Sequence, residues 1–421
     1  MSEILNNFNK LQYLRYQQHG AVLLVMLVVL VLGAAAMLLN SLNSTTARLA
    51  RDKVTADALA QAKEALIGYA INSENAGIST TRRPGNFPCP DRDAPGTLGY
   101  GDQESSCSSG GGTTIGRLPW KTLGIPELID GDGEPLWYAI SNNFRKSASI
   151  INSDTLGTML VYDQGGVALL TPQGSEAAAI VFSPGRPITG QSRVANQSAL
   201  CATTNTSIEL NRCATNYLDI ANGHNNATAN GSFITADKSD SFNDRMIIIR
   251  TRDFMPTIEK KIAKSLQAIL DNYRTVHGYY PYPAPFSSCK DDTTCTSNVS
   301  ICRGRLPYNA LPFNWSGSNV LPFSSGSTWF IDNQWYRVIY YSAGTNRLAT
   351  PPAGCSTTLN VSGNSTAALL FMPGTPLVNI TRSTYPNNNL SWYLEDAENQ
   401  NMDDIYISPT SNSNDQLYAL P

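Results

Sequence analysis

A chain of 421 residues is too long for one small domain and is expected to form two or three, each burying its own core. Charged residues make up 15% of it, well under the usual quarter. Asn, Ser, Thr and Gly crowd the part after residue 70, as on many extracytoplasmic surfaces. A net charge of -3 and the lack of any Lys/Arg block give no basic field, which excludes nucleic acid as a partner.

Residues 1–20 are polar, with Lys10 and Arg15 against Glu3. Residues 21–39 (AVLLVMLVVLVLGAAAMLL) then carry no charge and no hydrogen-bonding side chain. As a helix that stretch is about 28 Å long, enough to cross a bilayer core. Residues 40–70 hold no Pro and no Gly before Gly68. Leu42, Leu49, Leu59 and Leu66, with Ala56 and Ala62 between them, follow one helical stripe, and Arg48, Arg51, Asp52, Lys53, Asp57, Lys63 and Glu64 lie opposite. The spacing predicts one helix from near Gln18 to near Tyr69, on the order of 75 Å long. The same residues fit an uncleaved signal anchor. They also offer an A-x-A signal-peptidase site at Ala34-Ala35-Ala36, although Met37, Leu38 and Leu39 prolong the apolar run beyond it.

A short polar leader ending in Gly20, followed at once by an apolar helix, resembles type IV pilins and the pseudopilins of type II secretion. The resemblance implies cleavage by a prepilin peptidase between Gly20 and Ala21 and a single-pass location in the bacterial inner membrane with periplasmic heads. It also implies assembly with other pilins or pseudopilins through the N-terminal helix. The chain departs from the family at Ala21, where an aromatic residue or Met is usual, and at Val25, where a Glu pairs with a neighbour's amino terminus. Lacking that carboxylate implies a minor subunit, near a filament tip, in place of the main one.

Eight cysteines follow: Cys89, Cys107, Cys201, Cys213, Cys289, Cys295, Cys302 and Cys355. None forms a C-x-x-C pair, and only His224 and His277 lie beyond Gly20, so zinc-ligand spacing is missing. The cysteines read as disulfides formed in an oxidising compartment. The short loops favour Cys89 with Cys107 and Cys201 with Cys213, leaving the last four to pair among themselves. Asp130-Gly131-Asp132-Gly133-Glu134 and Asp91-Arg92-Asp93 place carboxylates close together between glycines, a pattern that suits calcium and also suits plain surface turns. Runs at 158–162, 167–170 and 178–182 read as strands. No G-x-S-x-G, H-E-x-x-H or phosphate-binding loop occurs, so no enzyme is expected. Trp120, Trp137, Tyr138, Trp335 and Tyr336 read as core, with a sugar-binding groove as the alternative.

The part beyond the helix occurs twice. LAQAKEALI (59–67) is matched by IAKSLQAIL (262–270), and GRLPW (116–120) by GRLPY (304–308). Trp137-Tyr138 returns as Trp335-Tyr336. AAAIVFSPGRPI (177–188) returns as TAALLFMPGTPL (366–377) with six identities. Tyr217-Leu218-Asp219 is matched by Tyr393-Leu394-Glu395, and Asn243-Asp244 by Asn414-Asp415. In the second copy Ile258, Ile262, Leu266, Ile269 and Tyr273 mark the buried face of a helix, and strands are expected at 335–341 and 367–372. LDNYRTVHGYYPYPAP (270–285) is similar to the helix end and Gly-x-Tyr-Pro turn of major pseudopilins. The counterpart of the acidic loop, at 330–334, has lost most of its charge, so a calcium site, if the chain has one, is expected in the first copy.

The expected fold is α+β: a long N-terminal transmembrane and amphipathic helix, then two tandem pilin-like heads, each a helix on an antiparallel sheet. Its parts are a leader (1–20), a stem helix (21–56), a first head (57–256) and a second head (257–421). The expected function is that of a minor pilin or pseudopilin, a structural component of a type IV pilus or type II secretion-like filament. The alternative is a membrane-anchored periplasmic or surface binding protein or adhesin that recognises a glycan or other ligand.

Overall fold

The computed structural model describes residues 2–73, 83–93, 98–107, 113–146, 150–170, 175–191, 193, 214–290, 294–307, 309–310, 313–314, 332–377, 380, 382, 389–410 and 413–421. Two compact units are distinguished, Met1–Asp57 and Ala58–Pro421. Helix α1 (Ser2–Asn72) begins in the first unit, where side chains are described at 24, at 26–32 and from 45 onward. Leu24, Met26, Leu27, Val28, Val29, Leu30, Val31 and Leu32 are all exposed.

The expected transmembrane helix, and with it the single-pass inner-membrane location, is corrected here: no helix among the described residues is long and apolar enough to cross a membrane. The described apolar stretch, 24–32, rises only about 13 Å against a hydrocarbon core of about 30 Å. The rest of the expected span at 21–39 lies outside the residues whose side chains are described, as do Gly20 and Ala21.

The second unit is rich in sheet. Strands β1 (Thr113–Arg117), β2 (Trp137–Ser141), β3 (Ala177–Ser183) and β4 (Arg245–Arg250) form one antiparallel sheet in that order. Helix α2 (Thr251–His277) follows directly. Then β5 (Arg303–Arg305), β6 (Tyr340–Ala343), β7 (Ala368–Met372) and β8 (Gln416–Leu420) form a second antiparallel sheet, again in chain order. Registers such as Trp137 opposite Phe182 and Tyr340 opposite Phe371 define the central pairs. Short ladders supplement them, including a parallel pair of Leu160–Tyr162 with Ser232–Ile234.

Alternation explains why β3 is buried along its whole length. Ala178, Ala179 and Val181 join the core that holds Leu59, Ala62, Leu66, Phe254 and Ile258. Ala177, Ile180 and Phe182 join a second core with Trp137, Tyr217 and Phe233 on the other side. A register shift between Ala177 and Ala179 accounts for the two alanines that share a side. On α2 the expected stripe is buried, from Ile258 through Ile262, Leu266 and Ile269 to Tyr273, and Gly278 ends the helix at φ 82°.

The expectation of two separate heads on a stem is corrected as well. One core runs through both copies, holding Tyr138 and Val181 from the first with Ile258, Tyr340 and Phe371 from the second. The proposed boundary at 256/257 falls inside α2. Polar ties cross between the copies too: the Ile151 N–H donates to Asn333 Oδ1 at 2.7 Å, and Asn152 Nδ2 to the Asn333 carbonyl at 2.9 Å. Burial of apolar surface shared in this way joins the two copies, although the first keeps a further core of its own on the far side of its sheet. Residues 335–337 form a helical turn in place of the expected start of a strand.

Among the described residues three disulfides close loops: Cys89–Cys107, as expected, and Cys289–Cys295 and Cys302–Cys355 among the last four cysteines. Cys201 and Cys213 lie outside the described residues.

Candidate cation site and duplicated carboxylate clasps

The two acidic motifs behave differently. The Asp130 carboxylate is buried and already takes four donors. The N–H groups of Asp132 (2.9 Å) and Glu134 (3.0 Å) bond Oδ1, and Ser183 Oγ (2.8 Å) and the Gly185 N–H (2.9 Å) bond Oδ2. Asp132 lies 4.0 Å from Lys238, and Glu134 pairs with Arg193 at 3.1 Å. Asp130, Asp132 and Glu134 are thus spent on a turn and on protein cations, and they do not form a calcium cage.

Asp91 and Asp93 converge instead with Glu104, which the motif did not include, and one carboxylate oxygen from each lies within 4.8 Å of the others. The loop is folded by Asp91 itself, whose carboxylate accepts the N–H groups of Asp93 (2.8 Å) and Gly101 (2.7 Å). Burial pushes the Asp91 carboxyl up to about 6, while those N–H groups and the Arg117 charge pull it down. Three carboxylates are the hard oxygen donors that a divalent cation such as calcium takes. In the second copy Ala284 stands where Asp91 does: Asp91 bridges to Arg117, and Ala284 bridges to Arg305.

The same bridges explain the repeated Gly-Arg-Leu-Pro. A Cβ on Gly116 would sit 2.5 Å from the Asp91 carbonyl oxygen, and one on Gly304 2.0 Å from that of Ala284. Only glycine lets the two backbones come so close.

A second pattern recurs in both copies. Tyr217 lies between the guanidinium of Arg193, 4.6 Å from the ring centre, and that of Arg117 at 5.6 Å. Tyr393 lies likewise between Arg382 at 4.7 Å and Arg305 at 5.7 Å. Arg193 also donates to the carbonyls of Gly185, Asn216 and Tyr217, and Arg382 to those of Pro373, Gly374 and Trp392. The counter-ions differ. Arg193 pairs with Glu134 of its own copy, but Arg382 pairs with Asp154 of the other copy at 3.3 Å.

Beside each stacked tyrosine two carboxylates grip the backbone of one another's segment. Asp244 accepts the Asp219 N–H at 2.8 Å, and Asp219 accepts the N–H groups of Asn243 (2.6 Å) and Asp244 (3.1 Å). In the second copy Asp415 accepts the Glu395 N–H at 3.0 Å, and Glu395 accepts the Asn414 N–H at 3.1 Å. The neighbouring asparagines match as well, each donating at 2.6 Å to a carbonyl, Asn243 to Arg186 and Asn414 to Thr375.

Among the aromatic residues weighed for a sugar groove, Trp137, Tyr138, Trp335 and Tyr336 are buried. Trp120 is half-buried, stacked edge-on against Tyr100. Sequence reasoning passed over Arg193, Arg382 and Glu104. The two arginines had a signal, since each stands five residues beyond the end of the longest repeated block, at Ile188 and Leu377. Glu104 had none, because only the Cys89–Cys107 loop brings it back to Asp91. No protein-family model matches this chain, and no characterised protein or solved structure does so either.

Proposed function

We propose that the chain is a minor pilin or pseudopilin, a structural subunit of a type IV pilus or type II secretion-like filament. In this role a prepilin peptidase matures it between Gly20 and Ala21, and it works by assembly, near the filament tip, without turnover. The observation that carries the proposal is the exposed apolar surface of α1 at Leu24 and at 26–32. Side chains of this kind favour burial by about 25 cal/mol per Å². A continuous apolar patch on a helix marks a surface that a partner covers, and parallel copies of the same helix in a filament core would cover it. Val25, with no carboxylate to offer a neighbour's amino terminus, suits an occasional subunit. So does the doubled sheet of Ala58–Pro421, whose bulk is awkward within tight helical stacking. Within this role Asp91, Asp93 and Glu104 are the residues that would hold a calcium ion, adding stability by mass action.

The test is co-purification with shed filaments. The wild-type chain is expected in the filament fraction, and a Leu27→Glu/Leu30→Glu variant is expected to be missing from it while keeping its disulfides. Wild-type protein that never fractionates with filaments would contradict the proposal.

A further inference from the structure

We infer that a carboxyl–carboxylate pair holding one shared proton closes each copy, with Asp219, Asp244 and Asp415 buried and Glu395 half-buried. The pairs are Asp244 with Asp219 and Asp415 with Glu395, and loss of the proton frees the segment that leads into the last strand of each sheet. The inference rests on the fold alone and is independent of the filament reading.

Three observations support it. The grip is reciprocal in both copies, although one uses Asp–Asp and the other Asp–Glu, so position is kept while the side chain changes. Within each pair the donors are divided unequally. Asp219 receives two N–H groups on Oδ2 and Gln191 Nε2 on Oδ1 at 2.8 Å, whereas Asp244 takes its two donors, the Asp219 N–H and Asn226 Nδ2 at 2.9 Å, both on Oδ2. Glu395 receives Ser413 Oγ at 2.9 Å and the Asn414 N–H. Asp244 and Asp415 are each 3% exposed, and their Oδ1 atoms are buried without a partner. A protonated oxygen is the form that can lie there, because it can donate to the facing carboxylate.

The third observation is charge. Asp219 and Asp244 face Arg193, but Arg193 is already paired with Glu134. Asp415 and Glu259 on α2 face Arg382, already paired with Asp154, and Glu259 approaches Gln416, next to Asp415, at 3.3 Å. Three carboxylates around one guanidinium cannot all be ionised in a dry site. Burial pushes the Asp244 carboxyl well up and Asp415 to about 9, with repulsion from the partner carboxylate adding to both.

The pairs hold the residues just before β4 and β8, the strands at equivalent edges of the two sheets. Ionisation of the second carboxylate would set two like charges against each other and loosen those edges first.

Infrared spectroscopy of the full chain at about pH 8 tests this, because Asp91 and Glu259 are then mostly ionised. The wild type is expected to show the carbonyl stretch of protonated carboxyls, and Asp244→Asn/Asp415→Asn to lack it. Asp415→Asn, whose amide keeps a donor at that position, is expected to melt at or above the wild-type temperature at pH 8, with the gap widening toward pH 9. A wild type without the carboxyl band, or an Asp415→Asn protein that melts well below wild type at every pH, would overturn the inference. If Asp415→Asn does not fold, the wild-type spectrum alone still decides.

Discussion

The two copies in Ala58–Pro421 share strand order, stacked tyrosines and carboxylate clasps, yet only the first is complete in charge. Arg193 finds its counter-ion, Glu134, within its own copy, whereas Arg382 takes Asp154 from the first. The second copy also supplies Asn333 to the loop around Ile151, and Glu259 to Ser153 at 2.5 Å. The ties thus run both ways, and that mutual dependence explains a single compact unit where sequence repetition suggested two heads. The acidic cluster at Asp91, Asp93 and Glu104 belongs to the first copy, since Ala284 stands where Asp91 does.

The two copies differ most at the crossing ion pair of Arg382 and Asp154. Asp154→Ala leaves Arg382, whose side chain is 1% exposed, buried without its counter-ion. A loss of about 3–5 kcal/mol is expected by urea denaturation. Glu134→Ala, at a carboxylate 20% exposed, is expected to cost less than that. Equal losses would mean that the copies do not differ in this dependence.

Glu259 sharpens the same point through pH. Its carboxyl is raised from the ordinary 4.5 to about 7, chiefly by burial. The folded state therefore binds the proton more tightly than the unfolded one. The stabilising contribution is complete below pH 4.5 and is lost as pH climbs to about 7, amounting to about 3 kcal/mol at most. Melting curves between pH 4 and pH 8 are expected to show Glu259→Gln losing about 3 kcal/mol less than wild type across that window. Next come the glycines. Gly304→Ala is expected to cost about 1–3 kcal/mol and Gly116→Ala somewhat less, because the second copy's backbones approach more closely, 2.0 Å against 2.5 Å for the added Cβ. The smallest effect is expected at Lys238→Ala, where a half-exposed contact of 4.0 Å with Asp132 is worth a few tenths of a kcal/mol.

Much of this organisation was legible in the sequence. The repeat is visible as blocks, most of which are the helix ends, strands, close backbone crossings and clasp residues that the fold needs twice. Trp335-Tyr336 is the exception, since Tyr340 and Tyr341 take the places opposite Arg305 and Gly304 that Trp137 and Tyr138 hold opposite Arg117 and Gly116. The stripe on α2 could be read because a 3.6-residue period survives wherever one helix face is buried. The fusion of the copies could not be read, since Asp154 and Arg382 are far apart in the chain and neither stands in a motif. The two acidic motifs could not be told apart for a related reason: Asp and Gly mark turns as readily as cation sites, and only the donors around Asp130 and the approach of Glu104 to Asp91 and Asp93 separate them. An apolar run such as 21–39 states hydrophobicity but not what covers it, and the expected membrane span went beyond what the described helix supports.

The filament role is tested most directly by the mass of the mature amino terminus. Intact-mass and peptide mass spectrometry of the protein from its native host is expected to show a chain beginning at Ala21. A chain that keeps Met1, or one that begins at Met37, would contradict it.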